Sequence, residues 1–195
     1  MYYVKWTFWI LFWTITALFL HYTLPQTDIV RIVDTNETRV DFGINRMFYS
    51  NVDAGGGVND VSRDVFFIST RRPDDRTIVY RNEDTGWGWP PYFKFDTRDL
   101  QTEAADLISS SDAPRWVAMR HYGWRLNWLS IHPNALDLWE VPSPDERIIP
   151  WFNIVFLTLF GMVVWAIWAR LRRFRKNRVD PAMEEVQDAL RNVGK

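Results

Sequence analysis

The residues best suited to bind another molecule form one short aromatic segment, EDTGWGWPPYFKFD, between Glu83 and Asp96. Its glycines permit close backbone approach or a positive φ, and its rings supply flat apolar faces. Such a set could grip a sugar, a proline-rich peptide or a helix of another subunit. It could equally fill the core of a small domain that has no disulfide. The candidate contact residues in this aromatic loop are Trp87, Trp89, Tyr92 and Phe93.

Three histidines, His21, His121 and His132, are the candidate nitrogen ligands. A bis-histidine haem between two apolar helices would need a histidine on each, and the second apolar segment has none. His121 and His132 could share a metal with Asp96 or Glu83, but their spacing matches no standard ligand pattern. The absence of cysteine excludes covalent c-type haem, thiolate zinc, iron–sulfur clusters and thiol catalysis. We therefore predict neither a metal site nor a cofactor.

Hydrolytic chemistry finds little support in the sequence. Ser130, His132 and Asp137 have the side-chain types of a catalytic triad, but no nucleophile elbow surrounds any serine. The glycine-rich segment 53–60, DAGGGVND, has neither the ligand order of an EF-hand nor the Gly-Lys-Ser/Thr of a P-loop. An envelope hydrolase or metal enzyme would require His121 and His132 to converge with acidic side chains. The sequence favours a role without catalysis.

Two long apolar segments flank the region that contains the candidate contact residues. Residues 6–24 and 148–169 contain no charged side chain. As helices they would be about 28 and 33 Å long, enough to cross a hydrocarbon core of about 30 Å. The first resembles a signal peptide in its apolar run, but no small-x-small cleavage site follows it. We therefore expect it to remain as an anchor.

Basic residues predict the orientation of these spans. Lys5 precedes the first span, and six basic residues follow the second, whereas residues 25–147 carry 14 Lys/Arg against 20 Asp/Glu. This pattern predicts a two-pass membrane protein with both termini cytoplasmic and the middle region outside. The basic cluster should also attract anionic lipid head groups, and one membrane-anchored cluster does not predict nucleic-acid binding. Its members are Arg170, Arg172, Arg173, Arg175, Lys176 and Arg178.

The first span carries a stripe of tryptophans, Trp6, Trp9 and Trp13, at helical spacing. Trp13 should lie near the middle of the membrane, which is deeper than an aromatic belt requires. The stripe is either bulk that faces lipid or a packing surface for another helix. Thr7, Thr14 and His21 form a second line that could hydrogen-bond a neighbouring helix.

The middle region reads as mostly β with one short helix after Asp96. We predict an α+β membrane protein in which two transmembrane helices flank a small barrel- or sandwich-like domain, similar in order to the oligonucleotide-binding barrel. The polar residues 34–37 and Pro73-Asp74-Asp75 are predicted turns. The predicted strands are 29–33, 38–42, 64–72, 77–82, 116–122, 128–131 and 135–141. The predicted regions are a stub with the first helix (1–24), the periplasmic domain (25–147), the second helix (148–171) and a basic cytoplasmic tail with a short helix (172–195).

The aromatic loop, followed by WVAMRHYGWR and WLSIHPNALDLWEV, resembles a family of alphaproteobacterial inner-membrane proteins described only as a domain of unknown function. The resemblance extends to HYTLPQTDIVRI after the first helix and IPWFNIV at the start of the second. Its most specific signature is the segment 81–87, RNEDTGW. The resemblance implies a location in the bacterial inner membrane. It supplies no activity, cofactor or catalytic residue.

These observations favour a non-catalytic accessory or assembly subunit of a larger membrane complex, for which a respiratory or photosynthetic complex would be a natural host. It would contact its partners through the first helix and the aromatic loop. The alternative is a periplasmic module that binds a ligand or an envelope component. That alternative predicts a closed pocket lined by Trp87, Trp89 and Tyr92.

Overall fold

A computed structural model describes residues 2–41, 62–181 and 183 of the chain. The chain divides into two compact units, residues 1–149 and 150–195. The first unit contains helix α1 (Tyr2–Thr23), strands β1 (Gln26–Asp41), β2 (Ser62–Arg71) and β3 (Thr77–Asn82), helix α2 (Thr97–Asp106), strand β4 (Trp116–Tyr122), a short 3₁₀ helix (Asn127–Leu129) and strand β5 (Asn134–Val141). The second contains helix α3 (Trp151–Phe174), which runs on into a π-helical turn (Arg175–Val179).

The five strands close into a barrel with the order β1-β2-β3-β5-β4. All neighbouring strands are antiparallel except β3 and β5, which meet in parallel at Arg81 and Asn134. Helix α2 lies between β3 and β4 in the chain. A closed five-stranded barrel with one inserted helix is the arrangement of the oligonucleotide-binding barrel. The barrel alternative of the prediction is therefore confirmed, and the sandwich alternative is not.

Strand β1 corrects the prediction of two strands joined by a turn at residues 34–37. It is one strand of 16 residues, and its register shifts between Ile32 and Asp34. The bulge bends the strand, so that its first half pairs with β4 and its second half with β2. The polar residues that suggested a turn pair with β2 instead. Because this pairing joins segments distant in sequence, local turn propensity could not reveal it.

The remaining elements follow the prediction with one exception. The hairpin at Pro73–Asp75 forms between β2 and β3, and Asp75 takes the left-handed conformation (φ 66°) that its turn requires. The predicted strand 128–131 is wrong, because Asn127–Leu129 form a 3₁₀ helix and Ser130 has a φ of 52°. An isolated bridge between Leu126 and Ile131 closes this loop.

The core lies inside the barrel and is covered by one face of α2. Leu100 and Ala104 of the helix belong to one apolar cluster of ten buried residues. The helical spacing of Leu100, Ala104, Leu107 and Ile108 in the sequence predicts this apolar face, but Ile108 lies beyond the end of the helix and is 41% exposed. Burial of each large apolar side chain contributes about 1.5–3 kcal/mol, so this cluster is the main source of the barrel's stability. The other members are Val30, Ile32, Ile68, Tyr80, Val117, Met119, Ala135 and Leu138.

Both long helices satisfy the criteria of length and composition for a membrane span. The candidate spans are Tyr3–Thr23 and Trp151–Val179. The side chains of α1 and α3 are almost all exposed to their surroundings, as expected for helices that face lipid or another protein. The predicted short helix of the tail falls largely in residues 184–195, which lie outside the described part of the chain.

Candidate functional site

The aromatic loop lies on the surface of the barrel. Trp87 is 85% exposed, Trp89 65% and Phe93 51%, and Trp87 contacts the ring of Phe93 at a centroid distance of 5.1 Å. Gly86 adopts a φ of 52°, which a side chain would disfavour. Rings this exposed do not fill the core. They also do not enclose a ligand, so the closed pocket predicted by the binding-module alternative is not formed by Trp87 and Trp89.

The aromatic loop is held against the C-terminal end of α1. Trp89 stacks on Phe19 with a centroid distance of 5.5 Å and an interplanar angle of 15°. Tyr92 is the inward-facing member: its hydroxyl donates to the carbonyl of Thr23, and its ring lies 5.2 Å from that of Tyr122. The loop therefore joins the barrel to the last turn of the helix.

A second loop, residues 123–133 between β4 and β5, contacts the same end of α1. The indole N–H of Trp124 donates to Nδ1 of His21 at 2.9 Å, and the ring of Trp124 also meets Tyr22 edge to face. The N–H of Gly123 donates to the carbonyl of Tyr22 at 2.9 Å. The aromatic loop and the loop 123–133 therefore both contact the C-terminal end of α1.

A buried polar cluster lies beneath these loops and is built from the segment 81–85. The Arg81 guanidinium lies 3.3 Å from Oε2 of Glu83, and both side chains are almost fully buried. Arg81 also hydrogen-bonds the side chain of Tyr22 in α1. Asn134 of β5 accepts from the backbone N–H of Glu83 and donates to its carbonyl, each at 3.0 Å. The cluster connects β3, β5 and α1.

Asp84 and Asn82 extend this cluster to helix α2. Asp96 occupies the N-cap position, but its side chain makes no capping bond. Oδ1 of Asp84 instead accepts from the backbone N–H and the hydroxyl of Thr97, at 3.1 and 2.7 Å. Asn82 donates to the Thr97 carbonyl at 2.8 Å. The polar half of the signature segment therefore has a structural role, which the sequence pattern did not distinguish from a binding role.

Lys94 buries its amine in the barrel. The Nζ atom donates to Oδ1 of Asn82 and, at 2.9 Å, to the carbonyl of Ala135. Burial lowers the pKa of Lys94 to about 8, although nearby carboxylates, Asp96 foremost, act in the opposite direction. These two hydrogen bonds attach the C-terminal part of the aromatic loop to the end of β3 and to β5, and they provide the buried amine with acceptors.

The lowered pKa of Lys94 predicts a rise in stability between pH 8 and pH 10. In that interval the unfolded chain binds the proton and the folded chain does not, so the free energy of unfolding increases with pH. Thermal midpoints measured in detergent at pH 7.5, 8.5 and 9.5 should rise for the natural chain and stay flat for Lys94→Met. Above pH 10 the raised pKa of Tyr80 and of Tyr92 reverses the sign, because the unfolded tyrosines then lose their protons first. If the thermal midpoints of the two proteins changed equally with pH, the lowered pKa of Lys94 would be contradicted.

A second polar cluster centres on Asp28, which the sequence analysis missed. Both of its carboxylate oxygens accept from one nitrogen of Arg72, Nη2, at 2.9 Å, and Oδ2 also accepts from the hydroxyl of Tyr80 at 2.7 Å. Nε2 of His121 lies 3.1 Å away. Burial alone would raise the pKa of Asp28, but the bonds from His121, Tyr80 and Arg72 hold it well below its usual range. The four residues come from four separate elements, so no local sequence signal marks them.

The histidines and the triad-type residues do not converge. Nδ1 of His132 lies 3.2 Å from the carbonyl of Val79, and Asp137 forms a surface ion pair with Arg120 at 3.4 Å. His121 faces Asp28 instead of His132. In the described ranges, no three His, Cys, Asp or Glu side chains are placed to hold a metal ion.

The tryptophan stripe lies along one face of α1. Trp6, Trp9 and Trp13 are 42–54% exposed and line an open groove on that face. Thr14 and His21, from the second polar line, border the same groove. Thr7 is not among the groove residues, and its hydroxyl donates to the carbonyl of Tyr3 in the same helix at 2.9 Å. We call the surface formed by the three tryptophans, Thr14 and His21 the Trp face.

The basic cluster lies at the end of α3 and in the π-helical turn. All six side chains are exposed. Within it, Arg172 lies over the ring of Trp168 at 5.3 Å, and Nε of Arg175 lies 3.5 Å from Asp180. Exposed guanidinium groups at the end of an apolar helix are suited to contact lipid phosphates.

Comparison with known proteins gives the relationship of the chain but no activity. An uncharacterized protein of Haemophilus influenzae (strain Rd) is 34% identical over 146 residues, which cover 72% of this chain and 79% of the relative. No solved structure matches the chain. Residues 1–175 match a family described as "Protein of unknown function (DUF1523)". The match confirms the resemblance to a family of unknown function, without testing its alphaproteobacterial range or its signature segment. The chain belongs to the DUF1523 family.

Proposed function

We propose that this protein is a non-catalytic accessory or assembly subunit of a larger complex in the bacterial inner membrane. In this proposal α1 and α3 both cross the membrane and the barrel lies on the periplasmic side. The Trp face of α1 binds a transmembrane helix of the partner. The basic residues at the end of α3, together with Lys5, support a cytoplasmic location of both termini.

The observation that carries the proposal is the position of Trp13 on the Trp face. It is the middle residue of the candidate span Tyr3–Thr23, and 42% of its surface is exposed. An aromatic belt explains tryptophans at the ends of a span but not at its centre. An indole at that depth carries an N–H donor that lipid tails cannot satisfy. A neighbouring helix offers both an acceptor and a complementary surface.

Two further features support a partner on this face. The groove combines large rings with Thr14 and His21, which are side chains able to hydrogen-bond across a helix interface. The tryptophans of the face are separate from the residues that hold the barrel, because Phe19, His21 and Tyr22 make the contacts with the barrel. A partner can therefore bind Trp6, Trp9 and Trp13 without displacing the barrel.

Purification in a mild detergent tests the proposal. We expect the natural chain to elute with a partner at fixed stoichiometry, and Trp13→Leu to release most of that partner. The matched control is Phe8→Leu, which removes a ring about 140° away around the helix. Equal retention in the two variants, or a natural chain that elutes as a monomer or homo-oligomer, would contradict the proposal.

A further inference from the structure

Five exposed aromatic side chains lie in the two loops of the barrel that contact the C-terminal end of α1. Four belong to the aromatic loop after β3, and one belongs to the loop between β4 and β5. Each exposes more than half of its surface, from 51% for Phe93 to 85% for Trp87. We call them the aromatic collar: Trp87, Trp89, Phe93, Phe95 and Trp128.

The two loops contact α1 at neighbouring positions. Trp89 stacks on Phe19, while Trp124, in the loop that carries Trp128, bonds to His21 and meets the ring of Tyr22. Around the helix, Tyr22 lies about 60° and His21 about 160° from Phe19. Both loops that carry the collar residues are therefore fixed to the C-terminal end of the helix.

The contact with Phe19 sets the level of the collar along the helix. Phe19 precedes the end of the candidate span, Thr23, by four residues, or about 6 Å along the axis. A ring stacked face to face on Phe19 lies at the same level. If α1 crosses the membrane, Trp89 lies at the boundary between head groups and acyl chains, where tryptophan is enriched.

We propose that the aromatic collar inserts into the interfacial layer of the lipid bilayer around the C-terminal end of α1 and seats the barrel on the membrane. The inference rests on the membrane-spanning role of α1 given in the proposed function. The exposed rings of the aromatic loop then contact lipid, and not the partner or ligand that their composition suggests.

The level of Trp89 favours lipid over a protein partner. Trp89 stacks on α1 close to the end of the candidate span, the level at which tryptophan is enriched against lipid. The fold argues against a ligand in the same place. Oligonucleotide-binding barrels use the loop between β4 and β5 to hold ligands, and here Trp124 fixes that loop to α1. Rings with more than half of their surface in water would be unfavourable, and insertion into the interface removes that cost.

Site-directed spin labelling of the full chain tests this proposal, and the absence of native cysteine makes single labels unambiguous. Single cysteines replace Trp87 and Trp128, and the matched control replaces Glu37, which is also exposed. Glu37 lies 11 residues after the start of β1, roughly 35 Å away along the strand. The purified protein is reconstituted into phosphatidylcholine vesicles, which have no net charge. Collisions of each label with oxygen and with a water-soluble nickel chelate are then compared.

Labels at Trp87→Cys and Trp128→Cys should collide more with oxygen than with the nickel chelate, by at least threefold relative to Glu37→Cys. Access of the nickel chelate to both collar labels would overturn the proposal. If neither oxygen nor the nickel chelate reached the collar labels, the proposal would also be overturned, and the labels would lie in a contact between two copies of the chain. The melting curve of each labelled protein identifies a variant that has failed to fold, and Phe93→Cys then replaces it. Failure of this test leaves the partner assay on Trp13 unaffected, because the vesicles contain no partner.

Discussion

Replacing Asp28 with alanine should reduce the stability of the barrel by about 3–5 kcal/mol, because the substitution leaves buried partners without their acceptor. The carboxylate accepts two bonds from Arg72 and one from Tyr80, and Nε2 of His121 lies at 3.1 Å. An ionised carboxylate only accepts, so its imidazole partner must carry the proton on Nε2. The loss should lower the thermal midpoint by roughly 10 °C in detergent.

The pH dependence gives an independent check on Asp28. Because its pKa in the folded chain is below its usual value, its contribution to stability is present above about pH 4. That contribution is lost as the pH falls towards the lowered pKa. Asp28→Asn should therefore remove part of the acid sensitivity as well as part of the stability.

A surface ion pair provides the matched control. Asp137 pairs with Arg120 at 3.4 Å, and both side chains are about half exposed. Asp137→Ala should cost between about 0 and 1 kcal/mol, as exposed pairs generally do. Similar losses from Asp28→Ala and Asp137→Ala would show that the Asp28 cluster does not support the barrel.

Breaking the pair of Arg81 and Glu83 should have an effect of similar size. Both side chains are almost fully buried, 3% and 6% exposed, so Glu83→Ala leaves a guanidinium without its carboxylate. Removing one partner of a buried pair costs about 3–5 kcal/mol. Thermal unfolding of the full chain in detergent measures this loss, and a failure to accumulate folded protein would agree with it.

A double variant separates the charge from the packing. Replacing both partners, as Arg81→Met with Glu83→Met, removes the uncompensated charge and should recover much of the stability lost in Glu83→Ala. Glu140→Ala is the exposed control, since its pair with Arg115 is about half exposed at 3.0 Å. A double variant no more stable than Glu83→Ala would mean that the shape of Arg81, including its bond to Tyr22, matters more than its charge.

The clusters around Asp28 and around Arg81 and Glu83 show why the fold could be predicted from the sequence better than the buried polar contacts could. The β2–β3 hairpin and the buried face of α2 have local signals, a Pro-Asp-Asp turn and a helical spacing of Leu100 and Ala104. The Asp28 cluster has none, because its four members lie up to 93 residues apart. No pattern within a window of a few residues can report such a contact.

The aromatic loop shows the same limit in another form. Its composition indicated burial or binding without distinguishing them, because tryptophans occur in cores and at interfaces alike. The structure divides the signature segment, with residues 81–85 holding the barrel and Trp87 projecting outward. Asp96 occupies the N-cap position of α2, but Asp84, 13 residues before Thr97, accepts the hydrogen bond from the Thr97 N–H instead. Tertiary contacts, and not local propensity, decide both outcomes.

Photocrosslinking from α1 tests the central claim, that the Trp face binds a partner helix, most directly. A photoreactive phenylalanine derivative is placed at Trp13 or at Ile15, which is exposed and lies about 160° away around the helix. In native membranes, we expect Trp13 to give one discrete protein adduct and Ile15 to give only lipid adducts. The same adducts from both positions, or protein adducts from neither, would contradict the claim.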